Sequence, residues 1–125
     1  MNKEKWYLCL SIRTMQKSKI QIEVSLDENK HPSEIKWQAE DSENKENSSK
    51  AMLLSFFDRE SLETLKIDLW TNDMQIDEMD RFFFNTLKGL ADTYYRSTNN
   101  QKLASQMQSF AHFFGQEIGL IEKDQ

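Results

Sequence analysis

The sequence predicts an α+β fold, in which a four-stranded antiparallel sheet made of two hairpins is followed by two C-terminal helices packed on one face of the sheet. Three observations predict it. Four segments between residues 19 and 70 have the length and the apolar pattern of strands. From about Asp77 onward, apolar residues recur at helical spacing instead. All strands therefore precede all helices, an order that is typical of helices segregated to one face of an antiparallel sheet.

The first hairpin is predicted from residues 19–39. Lys19 to Leu26 alternates strictly between apolar and polar residues, which indicates a half-buried strand. The segment Asp27 to Pro32 is rich in turn-forming residues. The period of two then continues through Trp37 to Ala39, so that the two strands form a hairpin.

The second hairpin is predicted from residues 51–70, after a polar segment. Residues 40–50 contain no apolar side chain, and this composition predicts a mobile loop. Ala51 to Phe57 is an apolar run of strand length, followed by the polar turn 58–61. Leu65, Ile67 and Leu69 then alternate with polar residues and Trp70, which indicates the fourth strand.

Two helices are predicted from the second part of the chain. The stripe of the first helix consists mainly of Met79, Phe83, Leu87, Leu90 and Tyr94. Asp77, Glu78 and Asp80 lie in its first turn, where the positive end of the helix dipole favours carboxylates. Residues 97–100 break the pattern. The second stripe consists of Leu103, Met107, Phe110, Phe114 and Ile118, with Gly115 and Gly119 as candidate helix ends.

The composition is that of an acidic globular protein. The 125 residues fit one domain, and 38% of them are hydrophobic and 30% charged. The net charge is −5, and the whole surplus lies in residues 51–125, which argues against nucleic acid or anionic membranes as partners. No apolar run is long enough for a membrane span, so we expect no membrane insertion. The single cysteine, Cys9, permits a reducing compartment.

The domain organisation is predicted to be simple. Residues 1–14 read as an N-terminal extension, because their short apolar stretch is stopped by Arg13 and no small-residue cleavage site follows. Met15 could equally be the start codon, since the well-patterned chain begins just after it. Residues 15–125 are then a single α+β domain that carries the loop 40–50.

Catalytic and cofactor chemistry finds no support in the pattern. Only His31 and His112 could act as imidazole bases, and neither belongs to a recognised nucleophile motif. One cysteine and two distant histidines exclude a structural zinc site. The acidic run around Asp77 lacks the glycine and the alternating oxygen donors of a calcium loop. We therefore expect no enzyme activity, no metal and no cofactor.

The aromatic residues are the most informative feature. Leu53, Phe57 and Trp70 fall on the strand parity that also holds Lys36, Lys66 and Glu23, which predicts an apolar patch among charges on the face away from the helices. Phe82, Phe83 and Phe84 are consecutive on a helix and cannot all face one core, so Phe84 is predicted to meet another surface. The predicted protein-binding set consists of Leu53, Phe57, Trp70, Met74 and Phe84. Alternatively, residues 1–14 or the loop 40–50 cover the patch.

Two stretches of the sequence carry a family resemblance. The stretch from Leu65 to Thr98, LKIDLWTNDMQIDEMDRFFFNTLKGLADTYYRST, resembles the signature block of the gliding motility-associated GldC family, and IDLWTNDMQIDEM is its most specific part. The stretch from Lys17 to Ser42 is similar to the opening hairpin of that family. The resemblance runs from about Met15 to about Gly119, and residues 1–14 depart from it.

The resemblance implies a process without a mechanism. It implies a small cytoplasmic accessory protein of the gliding motility and associated secretion machinery, with protein partners and no catalytic residues to carry over. We expect an adaptor that binds one protein through the sheet face and the segment Trp70 to Met74. A homodimer through that face is also open. The alternative is a SecB-like holdase, an export chaperone for unfolded clients, with Met52, Met74 and Met79 lining an adaptable groove.

Overall fold

The structure, a computed structural model, describes residues 16–41, 43 and 45–124. The predicted extension 1–14 lies outside the described residues. The chain divides into two compact units, one that ends at Asn72 and one that begins at Asp73. The first unit contains all the described strands, and the second contains both helices. That one domain spans residues 15–125, and that the helices pack on one face of the sheet, stay predictions.

The predicted first hairpin is present as strands β1 (Ile20–Leu26) and β2 (Pro32–Ala39). Ile22 pairs with Trp37 and Val24 with Ile35, so the apolar residues of both strands share one face. Ile35 is only 1% exposed. The alternating pattern thus identified both strands, but the predicted burial of β1 is not observed: Ile20, Ile22 and Leu26 are exposed, and only Val24 is half-buried.

A short third strand corrects the expected loop of residues 40–50. Strand β3 (Asn47–Ser49) pairs antiparallel with β2. The indole Nε1 of Trp37 also donates a hydrogen bond to Oγ of Ser49, at 3.0 Å. The polar composition concealed this strand, because its pairing depends on backbone groups and one side-chain hydrogen bond rather than on apolar burial.

The second hairpin consists of strands β4 (Ala51–Phe57) and β5 (Thr64–Trp70), which form a sheet of their own. The prediction of one four-stranded sheet was therefore wrong, since the strands form a three-stranded and a two-stranded sheet. The reason lies at Lys50, where the strand running on from β3 exchanges its partner β2 for β5. The backbone N–H of Thr71 donates to the carbonyl of Lys50, and that of Asn72 donates to the carbonyl of Pro32.

The second unit is a helical hairpin of α1 (Ile76–Thr98) and α2 (Gln101–Glu117), as predicted. Gln75 and Glu78 form a capping box at the start of α1. Asn99 ends α1 in the left-handed conformation, and the side chain of Asn100 caps α2 by accepting from the N–H of Leu103. A two-residue connection therefore joins two antiparallel helices.

The helices meet along a line of small residues. The buried residues of the helical unit are Phe84, Ala91, Ala104, Ala111 and Gly115. Alanine and glycine let the two backbones approach closely, but they leave little apolar volume between the helices. The larger apolar residues of both helices are therefore mostly half-buried or exposed.

Candidate functional site

The β4–β5 hairpin carries three of the five residues that the sequence singles out for protein binding. In its register, Ala51 pairs with Trp70 and Phe57 with Thr64. Paired residues of an antiparallel sheet share a face, and so do alternate residues along each strand. Leu53, Phe57 and Trp70 consequently lie on one face of the hairpin, as the sequence predicted.

This face combines exposed aromatic rings with charge. Phe57 is 69% exposed and Trp70 is 57% exposed, whereas Leu53 is half-buried. Lys66 and Asp68 lie on the same face, and their Nζ and Oδ2 atoms are 2.9 Å apart. By this register, Phe57 and Trp70 lie at opposite ends of the face, and the Lys66–Asp68 ion pair lies between them.

The opposite face of the hairpin is apolar at every paired position. Its residues are Met52, Leu54, Phe56, Leu65, Ile67 and Leu69. Phe56, Leu65 and Ile67 are each about half exposed. The alternation of Leu65, Ile67 and Leu69 predicts that this side faces the core, so none of its residues belongs to the predicted protein-binding set. The available signal was the run Ala51–Phe57, in which apolar residues occupy both parities and only Ser55 interrupts.

A tightly hydrogen-bonded turn closes the tip of the hairpin. The N–H of Leu62 donates to the carbonyl of Asp58, and the N–H of Asp58 donates to the carbonyl of Glu63. Leu62 has φ 60°, a left-handed conformation that leucine rarely adopts. Its side chain is 65% exposed. A strained backbone therefore presents a large apolar side chain at the tip, where glycine or asparagine is usual.

The carboxylate of Asp58 holds this turn. Its Oδ2 accepts from the backbone N–H of Ser61 at 2.8 Å and from that of Glu60 at 3.2 Å. These hydrogen bonds, that of Ser61 foremost, lower the pKa of Asp58 below its usual value. The charged form of Asp58 thus stabilises the turn that displays Leu62.

A second carboxylate ties the two sheets of the first unit together. Oδ1 of Asp27 accepts from the backbone N–H groups of Asn29 and His31, and its Oδ2 accepts from the side-chain amide of Asn72 at 2.7 Å. The backbone hydrogen bond from His31 and then that from Asn72 lower the pKa of Asp27. The end of β5 is therefore linked to the β1–β2 turn.

The other two predicted residues belong to the helical unit. Met74 precedes α1 and is half-buried. Phe84 is only 8% exposed, and it packs on Gly115 with Nζ of Lys88 lying 5.1 Å from its ring centroid. Of the three consecutive phenylalanines, Phe83 is the most exposed. The ring that the sequence predicts to meet another surface thus lies in the interior of its unit.

The two histidines that the sequence offers as imidazole bases lie at the surface of their own units. His31 and His112 are both exposed and lie in different units. Within the described residues, no three side chains of histidine, cysteine, aspartate or glutamate cluster as metal ligands would. A polar cleft beside Glu23 and Lys36 measures about 30 Å³, room for about one water molecule.

The two helices can be compared with the length and hydropathy that a membrane-spanning helix needs. Neither α1 nor α2 is both long and apolar enough to cross a bilayer, and these are the helices of the described residues. This finding concerns the helices only.

Comparison with known proteins adds one match. The model of a family described as gliding motility-associated protein GldC-like matches residues 32–120, well over half of the chain. The match covers β2 to β5 and both helices. No curated protein and no solved structure gives a significant match.

Proposed function

Because this chain belongs to the GldC-like family of gliding motility-associated proteins, we propose that it is a non-enzymatic accessory protein that binds one protein of the motility apparatus through the β4–β5 hairpin. The binding surface consists of the half-buried Leu53 and of the exposed apolar residues of the hairpin and its turn: Phe56, Phe57, Leu62, Leu65, Ile67 and Trp70.

One observation carries this proposal, namely that the hairpin exposes large apolar side chains on both faces. Phe57 and Trp70 are exposed on one face, and Phe56 is 55% exposed on the other. Contiguous exposed apolar patches, such as the one formed by Phe56, Leu65 and Ile67, usually mark interaction sites, and aromatic residues are enriched among the residues that dominate binding energy. A surface of this kind fits a protein partner better than a small molecule.

The stability of a two-stranded sheet supports the same conclusion. An isolated hairpin is marginally stable in water, and further packing is what stabilises it. In the described residues, β4 and β5 pair only with each other. A partner that covers Phe57 and Trp70 would stabilise the hairpin as well as bind it, so binding and order of the hairpin would be coupled.

The turn at the tip favours a preformed binding element. Asp58 and the backbone hydrogen bonds of the turn hold the backbone of Leu62 in one conformation before any partner arrives. A backbone that is already ordered loses less entropy on binding. We therefore expect Leu62 to enter an apolar pocket of the partner.

The absence of enzyme activity and the cytoplasmic location are further parts of the proposal. Both rest on the family resemblance. The exposed hairpin supports a binding role and does not bear on the location.

The experiment that tests the proposal compares three variants with the wild type. Phe57→Ala and Trp70→Ala each remove an exposed ring from the hairpin, and Phe113→Ala removes a ring of similar exposure from the helical unit as the control. Proteins captured from a gliding bacterium are identified, and the affinity of each purified candidate is then measured by calorimetry. We expect both hairpin variants to lose at least about tenfold in affinity, or about 1.4 kcal/mol.

Two results would contradict the proposal. If Phe57→Ala and Trp70→Ala bind the purified partner as tightly as Phe113→Ala does, the hairpin is not the binding surface. If all four proteins instead suppress the aggregation of several unrelated unfolded proteins, the chain is a holdase, and the SecB-like alternative replaces the adaptor.

A further inference from the structure

Strand β5 forms an open edge of the two-stranded sheet. It pairs with β4 along one side, and no other strand of the described residues pairs with it. All residues of β5 except Leu69 are exposed, whereas the first four residues of β4 are half-buried. The edge of β5 is therefore the more accessible edge of the hairpin.

The hydrogen bonds at the two ends of the hairpin show which backbone groups of β5 point to this edge. At one end, the N–H of Asp58 donates to the carbonyl of Glu63. At the other end, the N–H of Thr71 donates to the carbonyl of Lys50. Both pairs continue the register of the hairpin, so the odd-numbered residues of β5 exchange hydrogen bonds with β4. The N–H and C=O groups of the even-numbered residues therefore point away from β4, and these residues are Thr64, Lys66, Asp68 and Trp70.

These outward groups have no backbone partner among the described residues. Asn72, the next residue of the same parity, does have one, because its N–H donates to the carbonyl of Pro32. A regular row of open N–H and C=O groups is a template for another extended backbone. The chemistry of the edge thus specifies a strand, rather than a helix or a small molecule, as its occupant.

Strand β5 lacks most of the features that keep edge strands apart. It contains no proline, and it pairs with β4 over seven residues without a register shift. In contrast, β1 is an outer strand of the other sheet and has a register shift between Ser25 and Leu26. A lysine on an edge also prevents pairing, but Nζ of Lys66 is 2.9 Å from Oδ2 of Asp68. The strand is therefore neutral, although each chain has a net charge of −5.

The sequence of β5 is complementary to itself when two copies run antiparallel. The strand reads TLKIDLW, with Ile67 at its centre. If Ile67 lies opposite Ile67 of a second copy, Lys66 lies opposite Asp68 of that copy, and Leu65 lies opposite Leu69. Even-numbered residues then lie opposite even-numbered residues, so the open backbone groups of both strands form hydrogen-bonded pairs. This register matches the charges, the apolar side chains and the backbone groups at once.

The adjacent registers lack this match. Only registers that bring even-numbered residues opposite each other use the open backbone groups. The two nearest twofold-symmetric ones place Lys66 opposite Lys66 of the second copy, or Asp68 opposite Asp68. Like charges directly opposite each other are destabilising. The charges of β5 therefore favour the register centred on Ile67, which also aligns the full length of both strands.

We propose that two copies of this chain associate edge to edge through β5, so that their hairpins form one four-stranded antiparallel sheet across a twofold axis at Ile67. Each hairpin thereby gains the additional strands that a two-stranded sheet needs for stability. The contact uses the edge of the hairpin and leaves both of its faces open. It is therefore independent of the protein that those faces bind.

Sedimentation equilibrium of the full chain tests this proposal. The wild type is expected to change from 14.9 kDa at low concentration to twice that mass at high concentration. Lys66→Asp and Asp68→Lys each place like charges opposite each other across the contact, and each should raise the dimer dissociation constant by at least about tenfold. Asp68→Lys also makes the net charge of the chain less negative, so general repulsion between the chains would predict the opposite change.

An equimolar mixture of the two variants tests the register itself. When the Lys66→Asp chain pairs with the Asp68→Lys chain, unlike charges again lie opposite each other, while the charges within each chain stay alike. The mixture should therefore dimerise at least about tenfold more tightly than either variant alone. Lys102→Asp makes the same change of charge at an exposed position of α2 and is the matched control, which should leave the dissociation constant unchanged.

Hydrogen exchange at low and high protein concentration locates the contact on the backbone. The N–H groups of Lys66 and Asp68 point to the open edge, so their exchange should slow as the dimer forms. The N–H groups of Leu65 and Ile67 are already bonded to β4, so their exchange should change little.

Four results would overturn the proposal. They are a wild type that stays monomeric at millimolar concentration, single variants that are folded by circular dichroism and remain dimeric, a mixture that dimerises no better than its components, and exchange at Lys66 and Asp68 that does not depend on concentration. Phe57→Ala changes a residue of β4. It should weaken binding of the other protein and leave the dimer intact, so the two proposals fail separately.

Discussion

Gly115 lies so close to Phe84 that a β-carbon at position 115 would be 2.6 Å from Cε1 of the ring. The same β-carbon would lie 2.8 Å from Cδ1 of Ile121. Phe84 is the largest buried side chain of the helical unit. The absence of a side chain at Gly115 therefore makes room for the ring around which the two helices pack.

The first prediction concerns this contact. Gly115→Ala should lower the free energy of unfolding by about 1 to 2 kcal/mol, because overpacking against the Phe84 ring outweighs the better helix propensity of alanine. Urea unfolding followed by circular dichroism measures the change.

Gly89 provides the control for that prediction. It lies in α1, and a β-carbon there would have no neighbour within 4 Å. Gly89→Ala should therefore raise stability by about 0.5 to 1 kcal/mol. Equal effects of the two substitutions would show that Phe84 does not pack on Gly115 as described.

The second prediction concerns Leu62 at the tip of the β4–β5 hairpin. Leu62→Asn should raise the free energy of unfolding by about 0.5 to 1 kcal/mol, because asparagine tolerates a φ of 60° better than leucine does. It should also weaken binding to the partner by about 1 kcal/mol. Thermal unfolding measures the stability of the variant, and calorimetry on the same preparation measures its affinity for the partner. If the variant is more stable but binds with unchanged affinity, Leu62 does not belong to the binding surface.

The third prediction concerns the pH dependence of stability. The pKa of Asp58 is lowered in the folded chain by the hydrogen bond from the backbone of Ser61, from an ordinary value of 3.8. A carboxyl with a lowered pKa stabilises the fold above its unfolded pKa, and this contribution disappears as the pH falls through the folded value. Asp58→Asn should therefore be less stable than the wild type at pH 6.

The difference between the two proteins should shrink as the pH falls below about 3.8. Urea unfolding midpoints at pH 6, 5, 4 and 3 measure it. Since every other carboxylate is common to both proteins, the difference isolates Asp58. A gap that stays constant down to pH 3 would contradict a lowered pKa at this position.

The fourth prediction concerns the short strand β3. Ser49→Ala removes the acceptor for the indole N–H of Trp37 and should cost about 0.5 to 1.5 kcal/mol. Hydrogen exchange at residues 47–49 should become faster, because the strand then depends on backbone pairing alone. Ser48→Ala is the control, as no side-chain hydrogen bond of Ser48 contributes to the Trp37 contact. Equal effects of the two substitutions would count against this role of Ser49.

The regular elements follow closely from local patterns. The strand Ala51–Phe57 was predicted at its observed bounds, and α1 begins within one residue of the predicted Asp77. Gly119 terminates the second helical stretch with a φ of 81°, as its position suggested, whereas Gly115 lies inside α2. Alternation and helical spacing reflect which side of each element meets apolar neighbours, so they could be read directly.

The sheet arrangement could not be read in the same way. Nothing in residues 47–57 marks Lys50 as the point where one strand changes partners, because backbone pairing leaves little trace in the sequence. The sequence did not predict strand β3 for the same reason. The sequence predicts the wrong ring, Phe84 rather than Phe83, as the exposed one. Helical angles give the directions of three consecutive rings but do not show which of them fits into a space in the neighbouring helix. That space exists at Gly115, which has no side chain.

The sequence by itself determined the α+β class, the order of strands before helices, the second hairpin with Leu53, Phe57 and Trp70 on one face, and the GldC-like family. Only the tertiary structure decided that the strands form two sheets, that Phe56, Leu65 and Ile67 are exposed, and that Phe84 is buried against Gly115. The physical reason is that local patterns record an average apolar environment, whereas exposure depends on which distant segments occupy the space beside each residue.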